Sequence, residues 1–135
     1  MVEMNCVYEG DLHCQATHGP SGSVISTDAP KDNQGRGEAF SPTDLMGAAL
    51  GTCMLTIMGI YARRHEINLS GASAKVAKDM TATPVRRIGK LTVVVRMPAA
   101  VAPDQRKPLE SAALACPVYQ SLHPEIQKEV KFEYV

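Results

Sequence analysis

Ser41-Pro42-Thr43-Asp44-Leu45-Met46-Gly47-Ala48-Ala49-Leu50-Gly51-Thr52-Cys53 reads as a helix start that runs into an almost wholly apolar helix carrying one thiol. Ser41 suits an N-cap, Pro42 the first helical position, and Asp44 the positive end of the helix dipole. Residues 45–62 contain no charge, and Arg63, Arg64 and His65 then supply the positive charge that a helix C-terminus favours. A helix with so little polar surface is buried on nearly all sides or crosses a bilayer. Eighteen residues cover roughly 27 Å, just short of a hydrocarbon core. The stretch has three glycines and two threonines, no second span accompanies it, and the flanking segments alternate polar with apolar. The reading is therefore a core helix, with Gly47 and Gly51 placed to let another backbone come close.

The rest of the chain fits around that helix. Residues 5–16 alternate as one half-buried strand, with Cys6, Tyr8, Gly10, Leu12, Cys14 and Ala16 on one face. His18-Gly19-Pro20-Ser21-Gly22 turns the chain into a second short strand over 23–27. Residues 28–40, rich in Gly, Asp, Asn and Pro, form a loop that leads into the helix and carries Arg36 between two glycines. Strands follow over 72–80 and 86–97, the second with Leu91, Val93, Val95 and Met97 facing inward. A second helix starts at Ala102-Pro103-Asp104 and buries Leu109, Ala112, Ala113 and Cys116. Cys116-Pro117 breaks it and opens a short third helix, and a final strand holds Val130, Phe132 and Tyr134. The expectation is a single α+β domain over 1–135, in the order β-β-α-β-β-α-α-β, with a central buried helix and an antiparallel sheet.

Composition narrows the function classes. The chain has 135 residues, with 14 basic and 14 acidic side chains and no Trp. That even balance argues against nucleic acid or an anionic membrane as partner. The N-terminus lacks a signal-peptide pattern, so a reducing cytoplasm is expected, where four cysteines stand as free, ligating or redox thiols. No CxxC or HExxH spacing supports a metal, no Gly-rich phosphate loop follows a strand, and no GxSxG elbow is present.

That leaves the thiols. Cys116, as N-cap of the short helix, faces unpaired N–H groups that favour its thiolate; the alternative is a small residue closing a helix junction. Cys53, about three turns inside its helix, is inert filler unless a cation reaches it, and Arg36, Arg86 and Arg87 are the candidates. Cys6 and Cys14, eight residues apart on one strand, would lie about 27 Å from each other and could not bridge.

Taken together, the entry Ser41-Pro42-Thr43-Asp44-Leu45, the helix ending Gly51-Thr52-Cys53, and Ala112-Ala113-Leu114-Ala115-Cys116-Pro117-Val118 some sixty residues later resemble the OsmC/Ohr family of osmotically inducible and organic hydroperoxide resistance proteins. The resemblance covers nearly the whole chain. It implies an intertwined homodimer with the central helices packed together, and a cysteine-based peroxidase in which Cys53 is peroxidatic and Cys116 resolving. It implies no bound cofactor, but an external dithiol or lipoylated protein as reductant, and an organic hydroperoxide as substrate; a site lined by Met46, Leu50 and Met54 would favour organic hydroperoxides over hydrogen peroxide. The chain departs from that pattern at two points. Thr43 stands where those peroxidases carry Glu, and no Arg occurs in the first hairpin turn; Arg36 is the substitute candidate for stabilising the thiolate. The chain thus resembles a divergent OsmC-like branch, and the alternative function is a dimer without peroxidase activity that binds a small hydrophobic ligand at its interface.

Overall fold

The computed structural model describes residues 1–135, which divide into two compact units, Met1–Met46 and Gly47–Val135.

The first unit is a three-stranded antiparallel sheet in the order β1 (Met4–Gly10), β2 (His13–His18), β3 (Val24–Asp28). The single strand expected over 5–16 is therefore two. Gly10, Asp11 and Leu12 all have positive φ, which reverses the chain within three residues. The alternation does not reveal this turn, for a geometric reason. The pairing joins residues of equal parity, Cys6 with Ala16 and Tyr8 with Cys14, so the even-numbered side chains share a face on both strands. A second turn, closed by the His18 N–H on the Ser23 carbonyl at 2.8 Å, joins β2 to β3.

Asp28 ends β3 and fastens the loop that follows. Its N–H donates to the Phe40 carbonyl (3.1 Å), and its carboxylate accepts from the Glu38 N–H (3.1 Å) and meets the His13 ring at 2.6 Å. Asp28, 2% exposed, thus fastens the far end of the 29–40 loop through both its backbone N–H and its carboxylate. Helix α1 (Pro42–Arg64) then starts on a reciprocal cap: the Ser41 hydroxyl accepts from the Asp44 N–H (3.1 Å), and the Asp44 carboxylate accepts from the Ser41 N–H (2.9 Å). A cap of this kind stabilises a helix by about 1 kcal/mol.

The second unit holds the core. Strands β4 (Ser73–Thr81), β5 (Arg87–Met97) and β6 (Gln127–Tyr134) form a sheet with β5 in the middle, antiparallel to β4 and parallel to β6. Ile88, Leu91, Val93, Val95 and Met97 of β5 are buried. The alternation slips at Gly89, where the β4–β5 register shifts between Asp79 and Met80, a bulge. Leu50, Met54, Met58 and Ala62 of α1 join this core with Leu109 and Ala113 of α2 (Pro103–Leu114) and Cys116, which caps the short α3 (Pro117–Ser121). The outer sheet face carries ion pairs such as Lys90–Glu129 at 2.8 Å; exposed pairs of this kind contribute little to stability.

Helix α1 is long and apolar enough to cross a membrane by length and composition. Only one side of it is covered, by the continuous buried stripe Gly47, Leu50, Gly51, Met54, Met58 and Ala62, which corrects the expectation of burial on nearly all sides. The close approach expected at the glycines is made to the sheet. A Cβ at Gly51 would sit 2.9 Å from a Val76 methyl and 3.7 Å from Ala74, and one at Gly47 would sit 3.5 Å from Val76. The glycines let the helix settle onto β4 and β5 of its own chain.

Candidate active site

Two helix junctions bring Cys53 and Cys116 together. Cys53 lies mid-way along α1, one position from the buried stripe, and is half-buried. Cys116 is completely buried. Its backbone is extended (φ −62°, ψ 143°), because Pro117 at the first helical position disfavours a helical residue before it. That extended conformation makes Cys116 the N-cap of α3, with its sulfur accepting from the Tyr119 N–H at 3.3 Å. The Val118 N–H also faces the sulfur, and the Cys53 thiol is near enough to influence it. Both cysteines are free thiols.

The cap does not lower the acidity threshold of Cys116 as its position alone would suggest. Burial pushes the thiol up, and the neighbouring Cys53 adds to that; the Tyr119 and Val118 N–H groups pull the other way but do not prevail. Of the two roles open to Cys116, an activated thiolate or a small residue closing a helix junction, desolvation opposes the first. Cys116 is a protonated thiol at neutral pH, dry and held in place, beside a second thiol that solvent reaches. Such a pair can close to a disulfide once the outer sulfur is oxidised.

The expected apolar lining is also corrected. Leu50 and Met54 are fully buried in the core and cannot border an opening to Cys53, whereas Met46 is 41% exposed. The uncovered side of α1 runs through Ala49, Thr52, Thr56 and Ile60. It is less polar than its sequence implies. The Thr52 hydroxyl donates to the Ala48 and Ala49 carbonyls (2.9 and 3.2 Å), and the Thr56 hydroxyl to the Thr52 carbonyl (2.8 Å). Both threonines have spent their polar group on their own helix.

The cation candidates are placed as follows. Arg36 belongs to the first unit, is exposed, and its charge acts on the Asp28 carboxylate. Arg87 donates to the Ile88 carbonyl (3.2 Å) and stands 3.9 Å from Glu125. Asp44, adjacent to Thr43, is engaged in the α1 cap. The first hairpin turn is Asp11-Leu12 rather than residues 18–22, and neither turn contains Arg. Sequence reasoning missed the Asp28–His13 clamp altogether. Its only trace was an isolated Asp at the end of a strand, which composition reads as part of a loop.

A family model described as OsmC-like protein matches residues 35–131, a span that includes both Cys53 and Cys116. No curated protein matches the sequence. Among solved structures, a protein of Psychrobacter arcticus 273-4, provisionally named for osmotic stress induction and detoxification response, is 44% identical with a TM-score of 0.91, over 98% of this chain and 96% of that one. An organic hydroperoxide resistance protein OsmC from Legionella pneumophila superposes with a TM-score of 0.79 at 14% identity, over 98% and 96% of the two chains. The organic hydroperoxide resistance protein OhrB of Bacillus subtilis gives 0.69 at 14% identity, over 98% of each chain. At such low identity these last two are likenesses of fold.

Proposed function

Because the chain belongs to the OsmC-like protein family, we propose that it is a thiol-dependent peroxidase that reduces organic hydroperoxides to alcohols, with Cys53 peroxidatic and Cys116 resolving. The observation that carries this reading is a half-buried Cys53 and a fully buried, capped Cys116 in the same core, close enough for the first thiol to act electrostatically on the second. A hydroperoxide can meet only the first sulfur, and only the second is kept from solvent until it is needed.

The chemistry balances. The Cys53 thiolate attacks the outer oxygen of ROOH, the O–O bond breaks, and the leaving alkoxide takes a proton to become ROH. Cys53 is left as a sulfenic acid. The Cys116 sulfur displaces its hydroxyl, the Cys116 proton leaves with it as water, and a disulfide forms. An external dithiol, free or carried as lipoyl on a protein, then restores both thiols by exchange.

The protein acts as a homodimer in this reading. Support comes from the uncovered side of α1, whose threonine hydroxyls are satisfied internally and which offers no charge between residues 45 and 62. The expected compartment is the cytoplasm.

The test is hydroperoxide consumption with cumene hydroperoxide and a dithiol. Wild type turns over and forms a Cys53–Cys116 disulfide seen by mass spectrometry. Cys53→Ser loses the rate by on the order of a thousandfold or more, as removal of a nucleophile does. Activity that survives in Cys53→Ser rejects the reading. The second reading, a dimer that binds a small hydrophobic ligand without reducing it, draws on Thr43 at the usual Glu position. Wild type that consumes no hydroperoxide yet binds an apolar fluorescent probe would favour it.

A further inference from the structure

One residue breaks the apolar row that β6 turns toward the core. Val130, Phe132 and Tyr134 pack against the core, and Lys128 precedes them on the same face. Its ladder partner on β5 is Leu91, which is fully buried. A lysine on such a row must find its ammonium a partner, because burying an unpaired charge is costly. Lys128 is half-buried, and its Nζ donates to the Ile126 carbonyl at 3.1 Å. The same Nζ lies 5.3 Å from the centre of the Tyr119 ring, inside the range of a cation–π contact.

That contact leads to the buried thiol. The Tyr119 N–H is the donor to the Cys116 sulfur, at 3.3 Å. Tyr119 belongs to α3, which has 5 residues and buries none of them fully. A helix so short does not persist on its own hydrogen bonds, so contacts with its neighbours fix where it sits. The Gln120 side chain ties it to the end of α2, by Nε2 donating to the Leu114 carbonyl at 3.3 Å. Lys128 is the hold from the sheet, and it grips the residue whose N–H meets the sulfur.

From this chain of contacts we infer that Lys128 is a positioning residue for the resolving thiol: its ammonium pins the Tyr119 ring to the sheet and so keeps the Tyr119 N–H on the Cys116 sulfur. This role rests on the pairing of Cys53 with Cys116 in the proposed peroxidase reaction. It belongs to the second half of that cycle, after the O–O bond has broken. There the Cys116 sulfur bonds to the Cys53 sulfur, the sulfenic hydroxyl leaves, and the Cys116 proton goes with it as water. As the proton departs, negative charge gathers on the Cys116 sulfur, and a hydrogen bond from the Tyr119 N–H is strongest at that moment.

The test compares wild type with Lys128→Met, which removes the charge, and Lys128→Arg, which keeps a cation able to stack on a ring. The first readout needs no oxidant. Amide hydrogen exchange at Tyr119, taken by NMR relative to the fully buried Val93, should speed about two- to fivefold in Lys128→Met, the change a cation–π contact supports. Lys128→Arg should return it to the wild-type value. The second readout is a single turnover with one equivalent of cumene hydroperoxide, quenched in acid and followed by mass spectrometry. Lys128→Met should form the Cys53 sulfenic acid at the wild-type rate and close it onto Cys116 about two- to fivefold more slowly. Unchanged exchange at Tyr119 in Lys128→Met, no return in Lys128→Arg, or equal slowing of both chemical steps overturns the inference. Wild type that consumes no hydroperoxide overturns the peroxidase reading instead. Closure of the pair is then driven with diamide, a thiol oxidant, and a closure rate indifferent to Lys128→Met overturns the positioning role.

Discussion

The molecule carries two thiol pairs that its sequence arranges in opposite ways. Cys53 and Cys116 are far apart in the chain and meet at a junction of helices, one sulfur fully buried and capped by N–H groups. Cys6 and Cys14 are eight residues apart and lie diagonally across a hairpin, on strands paired through Cys6–Ala16 and Tyr8–Cys14. Diagonal positions are about 7–8 Å apart, beyond the roughly 6.8 Å that a disulfide spans at Cα. The first pair is fixed by a core; the second is held apart by a ladder. Packing of helices can bring two distant thiols to one reaction, while strand register sets a spacing that near neighbours in sequence cannot close.

The largest expected effect separates the pairs by function. Cys116→Ala should abolish multiple turnover with organic hydroperoxide and leave a Cys53 sulfenic acid that a dimedone-type trap captures, a loss on the order of a hundredfold or more in steady-state rate. Cys14→Ala should leave that rate unchanged. Equal losses in both variants would erase the functional contrast between the two pairs.

A smaller effect probes the surface that positions Cys53. Gly51→Ala should destabilise the protein by about 1–2 kcal/mol, because its Cβ would press a Val76 methyl at 2.9 Å and overpacking of that order outweighs the gain in helix propensity. Gly47→Ala meets only ordinary contacts, at 3.5 and 3.7 Å, and should stabilise by up to about 1 kcal/mol. Chemical denaturation measures both, and opposite signs are the outcome to look for.

The smallest effect concerns the unit that carries the hairpin. The hydrogen bond from His13 holds the Asp28 carboxyl below the usual carboxylate range, with the Glu38 N–H and the Arg36 charge adding to it. A lowered value means the folded state favours the ionised form, so the stabilisation is complete at neutral pH and is lost as pH falls through the folded value. Glu9 stands 3.4 Å from the other ring nitrogen of His13. Asp28→Asn should lower the melting temperature at pH 7, and that difference should shrink as pH drops below about 4. A difference that grows in acid would remove the ionised clamp from the account.

Much of the fold was legible because its signals are local. The uncharged run after Ser41, the Cys116-Pro117 break and the alternation of Leu91, Val93, Val95 and Met97 each follow from one segment's own chemistry. The candidate pair Cys53–Cys116 came from resemblance, not from spacing. The β1–β2 turn was invisible because pairing of equal parity preserves the alternation through it. The close approach at Gly47 and Gly51 was legible, but its partner was not, because a small residue announces a close approach without saying to what.

By itself, then, the sequence determined that residues 42–64 form an apolar helix, that Cys116 caps the helix after it, and that the strands bury alternate residues. These are consequences of backbone capping, proline geometry and side-chain period, which act over a few residues. Only the tertiary structure decided which thiols meet, that burial outweighs the cap at Cys116, that α1 rests on β4 and β5 of its own chain, and that Asp28 fastens the far end of one loop. Each of these depends on contacts between distant segments, where desolvation and strand register set the outcome.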